Sequence, residues 1–416
     1  MADVQPFRAL HYDLDRVGGL QAVVAPPYDV IDAEQRAALI ARSPHNVVEI
    51  DLPQGDEPYA HAADVFERWQ QDGILVRDDE DALWMLEQEY VGPDGQTRTR
   101  RGFLARVGIE EYGPGRIRPH ERTHPGPKED RLKLTRATEA NLSPIFSLYD
   151  DPEGAVYAAL NAAKGEPWDE VTDEDGTVHR LWRLTDPVAA RTVSETLRDK
   201  ELLIADGHHR YETARVHHEE GGAGHVLMCL VALQDPGLTV FPTHRLLTQL
   251  DDDSREALRD AVQRDFELTQ VAADELEPTG NGDVRIGYLD AHHRRPLMLT
   301  LRDAEIARRA LPDKPEPYRA LDTAVLEALI LKQALGMSED DISHFNGLDY
   351  ARTPEEARAR VDAGDADAAF FMSPTPVERV RDVAAAGENM PPKSTYFFPK
   401  VLTGMVFNPL EEKWPS

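Results

Sequence analysis

Residues 202–214 read LLIADGHHRYETA and combine the features of a ligand-binding turn. The apolar residues 202–205 predict a short buried strand, and the polar residues after them predict a tight turn and the start of a helix. A helix begins with unpaired backbone N–H groups and a partial positive charge, and both favour phosphate. Gly207 lets the backbone approach a ligand closely, and Arg210 adds a planar, bidentate donor for phosphate oxygens. The stretch therefore predicts a site for a phosphorylated ligand or nucleotide.

The same turn also has a purely structural interpretation. Asp206 would then be only a helix N-cap, and His208 and His209 would be polar groups on a surface turn. However, five polar residues in succession directly after a buried strand favour the functional interpretation, because such residues gather at binding and catalytic sites.

The chain is strongly acidic, with 46 Lys and Arg residues against 76 Asp and Glu residues and a formal net charge of −30 over 416 residues. This charge argues against nucleic acid or an anionic membrane as a partner, because both would be repelled. A small-molecule substrate is the expected partner, and the sequence leaves the oligomeric state open. The acid-rich composition also resembles adaptation to high intracellular salt, which screens repulsion between like charges.

The apolar segments indicate a soluble, cytoplasmic protein. No apolar run is long enough to span a bilayer, and residues 1–8 do not resemble a signal peptide. The single cysteine, Cys229, lies in the apolar run 226–233 and is interpreted as a small core residue, since one cysteine forms no intramolecular disulfide.

We predict a mixed α/β fold in three portions, residues 1–109, 110–250 and 251–416. Periodicity and turn signals give the individual elements. The predicted helices cover 34–41, 60–71, 254–271, 321–335 and 376–386. The predicted strands cover 83–90 and 99–107 (a hairpin), 141–149, 225–233, 284–289 and 296–301 (a pair), 366–372 and 401–407.

Residues 120–124 read HERTH and formally match the H-E-x-x-H pattern of zinc metalloproteases. That pattern needs a helix of several turns to hold both histidines, whereas Pro119 precedes it and a Pro-Gly-Pro sequence follows at 125–127. We therefore expect no zinc here. The segment is interpreted as a donor-rich loop that covers an anionic ligand, with His120 and Glu121 in contact with the substrate.

Lys128 and Arg131 continue this donor-rich segment. One interpretation is a solvated helix face, on which Glu129 and Asp130 pair with these cations. The other is anion binding, which the scarcity of positive side chains in so acidic a chain favours.

Further polar groups have both a structural and a functional interpretation. They are Tyr28 and Asp29 behind two prolines, His244 and Arg245 in a predicted strand, and Lys393, Ser394 and Thr395 with Lys400 close by. The first pair forms either a structural turn or a loop that grips the substrate. The second pair either lies at the same pocket or is merely exposed. In the third group a lysine beside two hydroxyl groups suits contact with phosphate, although the spacing is not that of a P-loop.

Six motifs together resemble a known family. They are residues 25–30 APPYDV, 128–132 KEDRL, 142–145 LSPI, 206–211 DGHHRY, 242–245 PTHR and 390–395 MPPKST. Their combination looks like the domain-of-unknown-function 1015 family (DUF1015), and the resemblance runs nearly from end to end of the chain. That family is poorly characterised, so the resemblance alone implies little about chemistry.

A shorter resemblance implies more. Residues 206–210, DGHHR, are similar to the phosphate-binding motif of the ParB/sulfiredoxin superfamily, especially its ADP-dependent free-serine kinases. This implies a ParB/sulfiredoxin-like phosphate-binding core with additional α/β portions, a bound nucleotide (ADP or ATP) and Mg²⁺. The catalytic glutamate of those kinases has no assigned position in this chain.

The resemblance implies phosphoryl transfer on a small metabolite, with free serine or phosphoserine as the first candidates. Gly207, Arg210 and the helix-start N–H groups would hold the phosphates, and His208 or His209 would give or take a proton. Asp206 would orient a histidine or bind Mg²⁺. Further groups would contact the phosphates or neutralise charge on the transferring group. These are Lys128, Arg131, His244, Arg245, Lys393, Ser394 and Thr395.

Two alternatives remain open at this point. The first is a phosphatase that acts on phosphoserine or a similar small phosphoester, in which one histidine is the phosphorylated nucleophile. The second is a non-catalytic, nucleotide-binding regulatory protein.

Overall fold

The computed structural model describes residues 2–92, 95–112, 115–120, 125–279, 282–343, 346–391 and 393–410. Within these ranges the helices are α1 (Leu14–Val17), α2 (Ala33–Arg42), α3 (Val48–Asp51), α4 (Pro58–Gln71), α5 (Pro125–Thr138), α6 (Ala155–Ala163), α7 (Pro187–Leu197), α8 (His208–Glu219), α9 (Asp252–Asp265), α10 (Ala304–Ala310), α11 (Glu316–Arg319), α12 (Asp322–Leu326), α13 (Glu339–Ser343), α14 (Pro354–Ala363) and α15 (Val377–Ala385). Helix α12 continues into a π-helix, Glu327–Ala334, and short 3₁₀ helices cover Leu20–Ala22, Tyr28–Val30 and Ala273–Glu275.

The strands are β1 (Val4–Gln5), β2 (Leu10–Tyr12), β3 (Leu75–Arg77), β4 (Leu83–Val91), β5 (Thr97–Gly108), β6 (Ile117–Arg118), β7 (Ala140–Asn141), β8 (Ile145–Tyr149), β9 (Asp169–Thr172), β10 (Val178–Leu184), β11 (Leu202–Asp206), β12 (His225–Ala232), β13 (Thr239–Phe241), β14 (His244–Leu247), β15 (Phe266–Gln270), β16 (Arg285–Asp290), β17 (Leu297–Leu301), β18 (Leu348–Ala351), β19 (Ala368–Phe371), β20 (Tyr396–Phe398) and β21 (Asn408–Pro409). Helices and strands are thus interspersed along the chain, and the predicted mixed α/β class is confirmed.

Contacts divide the chain into two compact units. The first unit comprises residues 1–119, 123–239 and 399–416, and the second comprises 120–122 and 240–398. This grouping differs from the three portions expected from the sequence, whose borders stay a prediction that limited proteolysis would test.

The first unit is built on a sheet of nine strands, in the order β6-β11-β8-β12-β5-β4-β10-β9 with β1 beside β5. The predicted hairpin forms its centre, since β4 and β5 pair antiparallel from Trp84 opposite Leu104 to Val91 opposite Thr97. Strand β12 lies between β5 and β8, and its first seven residues are all buried. Its continuous apolar run is typical of a strand that is covered on both faces.

The edge of this sheet positions the 202–214 stretch. Strand β11 pairs in parallel with β6 and antiparallel with β8. Leu202 and Ile204 are fully buried in the core, whereas Asp206 at the strand end is partly exposed. Because β6 and β11 are parallel, both strands leave the sheet at the same edge.

The second unit contains a six-stranded antiparallel sheet in the order β15-β17-β16-β19-β14-β18. The predicted pair of strands appears as β16 and β17. The predicted buried helix 321–335 appears as α12 and the π-helix, and its apolar residues pack with Phe370 and Leu247 of the sheet.

Two predicted elements were wrong in extent. The helix expected over 254–271 ends at Asp265, because Phe266 is fully buried in extended conformation and begins strand β15 opposite Leu301. The strand expected over 401–407 is instead an irregular segment with isolated bridges such as Ala25 to Thr403. Its apolar run reflects burial, since every residue of 401–410 is buried.

Across the described ranges, no helix combines the length and the apolar character that a bilayer crossing requires.

Candidate functional site

The turn after β11 is built around a glycine in left-handed conformation. Gly207 has φ +95° and ψ 28° and occupies the N-cap of α8, with no side-chain capping bond. The structural interpretation of Asp206 as the N-cap is therefore wrong. The first intrahelical bond runs from Tyr211 N to Gly207 O at 3.0 Å. Buried His208 and half-buried His209 open the helix, and the N–H groups of this first turn have no carbonyl one turn earlier to bond.

Arg210 folds back over this glycine. A Cβ atom at position 207 would lie 3.0 Å from Arg210 Nε and 3.1 Å from its Cζ. The Arg210 Nη1 atom donates to Ser143 Oγ at 2.6 Å and to the Pro144 carbonyl. Its Nε atom is buried and has no hydrogen-bond partner among the residues that the structure describes. The guanidinium is thus fixed in place by the protein and retains an unsatisfied donor.

Asp206 is held by positive charges. Lys400 Nζ donates to Asp206 Oδ2 at 2.7 Å, and Arg210 Nη2 lies 3.8 Å from Oδ1. Burial alone raises the pKa of Asp206, but Lys400 and Arg210 outweigh it and hold the pKa well below its ordinary value. Asp206 is therefore ionised at neutral pH and acts as a charge partner and not as a proton acceptor.

The donor set around Asp206 does not fit a Mg²⁺ ion held by the protein alone. Its nearest partner is an ammonium group, and among the described residues no group of three His, Cys, Asp or Glu side chains is arranged to hold a metal. Mg²⁺ prefers carboxylates together with the phosphates of a substrate. The predicted role of Asp206 as a metal ligand thus gains no support from the geometry.

A cleft that is partly open to solvent lies beside the turn, with about 460 Å³ of empty space that includes open solvent. Its lining residues are Tyr28, Asp51, Arg131, Leu134, Thr135, Ala140, Asn141, Leu142, Ser143, Ile145, Arg210, Thr213, Ala214 and Val226. The apolar residues of this set form much of the wall, and a few charged and hydroxyl groups are placed among them. This mixture is typical of a site for a small organic ligand.

An ion pair and an aromatic ring form one side of the cleft. Arg131 Nη1 donates to the Asp51 carbonyl at 2.8 Å and to its Oδ1 at 3.2 Å, and Nη2 lies 2.6 Å from Asp130 Oδ2. The same guanidinium lies 4.2 Å from the centre of the Tyr28 ring. Burial raises the pKa of Tyr28 to about 12, and it raises the pKa of Asp51 although Arg131 opposes this. The Tyr28 hydroxyl therefore keeps its proton at neutral pH.

The structure brings together Tyr28, Arg131 and Arg210 in the cleft, and places Asp206 and the two histidines at the adjoining turn. Asp29 is exposed on the 3₁₀ helix of Tyr28. Lys128 Nζ lies 3.6 Å from Glu212 Oε2, so that its partner is on helix α8 and not on its own helix. Of the pairs expected on a solvated helix face, Asp130 does pair with Arg131, whereas Glu129 pairs with Lys133 at 2.8 Å.

The remaining candidates that the structure describes belong to the second unit. His120 is fully buried, and its Nε2 lies 2.8 Å from Thr395 Oγ1. Ser394 is buried and donates to the Pro391 carbonyl at 2.7 Å, whereas Lys393 is exposed with φ +56°. Glu121 lies outside the described residues, as do Arg122, Thr123 and His124 of the H-E-x-x-H match.

His244 and Arg245 are buried on strand β14 of the second unit. His244 Nδ1 accepts from Met372 N at 3.1 Å, and burial lowers the pKa of this histidine to about 4. Arg245 Nη1 donates to the Thr243 carbonyl at 2.6 Å. The alternative that these two are merely exposed polar residues is therefore wrong, while their contact with a phosphate stays a prediction.

Sequence reasoning missed part of the site. Asp51 lies outside the motifs described above, although it is one of two acids among otherwise apolar residues at 47–52, and burial of an acid is uncommon outside functional or paired positions. Ser143 entered only as part of a motif, and Lys400 only as a neighbour of 393–395. Gln88, which bonds the Lys400 carbonyl, and Arg100, which bonds Gln88, carry no sequence signal beyond the alternation of a strand.

Several solved structures are similar to this chain at low identity. A conserved hypothetical protein from Pyrococcus furiosus is 15% identical, with 70% of this chain and 92% of that chain covered and a TM-score of 0.36. A free serine kinase in complex with AMP is 15% identical, with 70% and 89% covered and a TM-score of 0.36. SbnI with a C-terminal truncation, from Staphylococcus aureus, is 12% identical, with 72% and 85% covered and a TM-score of 0.37.

None of the curated proteins matches the chain. The sequence profile of one family spans most of it, including Tyr28, Arg131 and the turn with Arg210. This family is described as protein of unknown function (DUF1015), its profile matches residues 4–324, and the chain therefore belongs to it.

Proposed function

We propose that this protein binds a nucleotide by its phosphates at the turn after β11 and transfers a phosphoryl group to a small hydroxyl compound. The observation that carries the proposal is Arg210, a guanidinium fixed by Ser143 at the start of α8 with a buried, unpartnered Nε donor. Fixed donors at a helix start are suited to phosphate because no reorganisation is needed when the charge arrives.

The cleft next to Arg210 supports the same proposal. It combines apolar walls with the Tyr28 ring, which the less polar part of a nucleotide would contact while its phosphates lie at the turn. Arg131 is paired with Asp51 and Asp130, whereas Arg210 keeps a buried Nε donor with no partner among the described residues. This donor favours an anionic ligand over a cationic one.

Serine and ADP are the first substrates to test, and this choice rests on the resemblance of residues 206–210 to free-serine kinases. In the step, the serine hydroxyl oxygen forms a bond to the terminal phosphorus, and the bond from that phosphorus to the bridging oxygen of ADP breaks. AMP leaves with the bond electrons, and the hydroxyl proton passes to His208 or His209. Asp206, which stays ionised, would orient the histidine and would not take the proton.

The charge needs of the step are met by this chain's own cations. Arg210 and the first turn of α8 would stabilise the phosphate oxygens, and the predicted contacts of Lys128 and Arg131 would add to this. Any Mg²⁺ would arrive as the counterion of the nucleotide, and it would supply further charge neutralisation when bound. The predicted substrate contact through Glu121 can be tested by Glu121→Gln in the same assay.

The test is a product assay with purified full-length protein. ADP and serine are incubated together, ATP replaces ADP in a second arm, and phosphoserine alone forms a third arm. Each arm is run for the wild type, His209→Ala, Arg210→Met and the surface control Arg136→Met, whose side chain is half exposed and pairs with Glu220. We expect phosphoserine and AMP in the first arm, loss of turnover with His209→Ala and Arg210→Met, and no loss with the control.

The other results separate the alternatives. Phosphate release from phosphoserine without nucleotide would replace the kinase by the phosphatase. Nucleotide binding without turnover in any arm would favour a regulatory protein. Neither nucleotide binding nor turnover by the wild type would overturn the proposal.

A further inference from the structure

The last described segment of the chain supplies a lysine to the candidate site. Residues 399–410 belong to the first unit, although they follow the second unit in sequence and lie beyond the family match at 4–324. Lys400 Nζ is 2.7 Å from Asp206 Oδ2, and the exposed fractions of the two side chains are only 17% and 21%. The ammonium group therefore lies at the turn, hydrogen-bonded to the carboxylate of Asp206, the residue before Gly207.

The backbone carbonyl of Lys400 is held by the buried side-chain amide of a glutamine. Gln88 of strand β4 is 1% exposed, and its Nε2 donates to the Lys400 carbonyl at 2.9 Å and lies 3.1 Å from His179 Nδ1. Its Oε1 accepts from both Nε, at 3.0 Å, and Nη2 of Arg100. Gln88 thus connects Arg100 of strand β5 to the backbone from which the Lys400 side chain extends.

Arg100 carries a buried charge, and no carboxylate of the described residues pairs with it directly. Arg100 is 1% exposed. Its guanidinium is hydrogen-bonded to the neutral Gln88 side chain and lies 4.5 Å from the centre of the Phe146 ring. Its Nη1 atom has no hydrogen-bond partner within the described part of the chain. Burial lowers the pKa of Arg100 to about 10, which still leaves it charged at neutral pH. An uncompensated buried cation is destabilising, so a protein keeps one where its charge is used.

Several positive groups lie near the turn. Lys400 and Arg210 both lie against Asp206. Arg100 interacts electrostatically with Asp235 and with Asp206. A ligand suited to these donors is a polyanion such as the phosphates of a nucleoside diphosphate.

We propose that Lys400 contacts the phosphates of the bound nucleotide, and that Arg100, acting through Gln88, is a positioning residue that seats this lysine. The inference rests on the proposed function, because it concerns the ligand of the same turn. On binding, the Lys400 ammonium exchanges all or part of its ion pair with Asp206 for phosphate oxygens, and no covalent bond changes. Arg100 does not touch the ligand; it fixes the backbone of Lys400 through Gln88.

The proposal predicts a non-additive pattern of affinities. ADP is titrated into the wild type, Lys400→Met, Arg100→Met and the double variant by calorimetry at one fixed salt concentration. Each single variant should bind ADP about tenfold more weakly or worse, the loss expected for a charge-assisted contact. The double variant should lose little more than Lys400→Met alone, since Arg100 acts through that lysine.

A second readout separates positioning from a purely structural role. Arg100→Met removes a buried charge but also leaves the buried Gln88 Oε1 without its donor, so its melting temperature reports both effects. Arg100→Lys keeps the charge and a donor, and a positioning role predicts that it restores ADP affinity towards that of the wild type. Gln88→Glu is the alternative if Arg100→Met does not fold. It keeps the acceptor for Arg100 but loses the donor to the Lys400 carbonyl, and it should also weaken ADP binding about tenfold.

Three results would overturn the proposal. They are ADP affinity within about twofold of wild type for Arg100→Met or Gln88→Glu, additive losses in the double variant, and equal affinity for Lys400→Met. If the wild type binds ADP and these variants bind it with equal affinity, the proposed function stands and this inference fails. If the wild type does not bind ADP, both fail.

Discussion

The sharpest prediction concerns Gly207, because two independent constraints meet there. At φ +95° an alanine is strained, and its Cβ would lie 3.0 Å from Arg210 Nε and 3.1 Å from both Cζ and Nη2. The guanidinium cannot yield freely, since its Nη1 is held by Ser143 at 2.6 Å. Gly207→Ala therefore imposes backbone strain and also displaces the group on which phosphate binding depends.

Gly221 provides a matched control on the same helix. It follows the C-terminal end of α8 with the same φ of +95°, and an added Cβ would meet nothing within 4 Å. Both alanine variants should lose about 1–2 kcal/mol of unfolding free energy from left-handed strain. Only Gly207→Ala should also lose about 1.5–3 kcal/mol of binding free energy, which is roughly a 10- to 100-fold weaker Kd.

The measurements are urea unfolding followed by circular dichroism and ADP titration by calorimetry, with all three proteins in one buffer. Similar losses of stability together with a selective loss of affinity in Gly207→Ala would support the argument. If Gly207→Ala binds ADP as tightly as Gly221→Ala, the position of Arg210 does not govern phosphate binding and the reasoning is refuted.

Three further predictions concern ion pairs and burial. Arg131→Met should lower the unfolding free energy by about 3 kcal/mol, because it leaves the buried Asp51 carboxylate without its partner. Arg136→Met on the same helix breaks only an exposed ion pair and should change the unfolding free energy little. Equal effects of the two variants in urea unfolding would contradict this. The pKa of His244 is lowered to about 4 from about 6.5, so the second unit should lose stability as the pH falls through this window, and His244→Gln should remove that loss in pH-dependent melting. The pKa of Asp206 is depressed, so its stabilising contribution should persist above pH about 4 and disappear as the pH falls further. If Asp206→Asn loses stability at acid pH in the same way as the wild type, the ion pair of Asp206 is not the cause of that loss.

The turn could be predicted from the sequence because its signals are local. The apolar run 202–205 sets a buried strand, Gly207 permits the left-handed residue that ends it, and Arg210 is only three residues further on. The hairpin of β4 and β5 was predictable for the same reason, since alternating strands flank a Gly-Pro-Asp-Gly sequence.

The cleft could not be predicted because it depends on contacts between distant residues. Asp51 and Arg131 are 80 residues apart, and Arg210 and Ser143 are 67 residues apart. Nothing in the local pattern of residues 47–52 indicates that Asp51 pairs with a guanidinium on α5. The same holds for Gln88 and Lys400, which are 312 residues apart, so the presence of Lys400 at the turn is visible only in the fold.

Binding of nucleotide phosphates at the turn after β11 is the central claim, and a crystal structure of the full-length protein with ADP tests it most directly. The account predicts phosphate oxygens within hydrogen-bond distance of Arg210 and of the first N–H groups of α8, with Lys400 Nζ moved from Asp206 towards the ligand. ADP bound elsewhere, with Lys400 still on Asp206 and the first turn of α8 empty of phosphate, would contradict it.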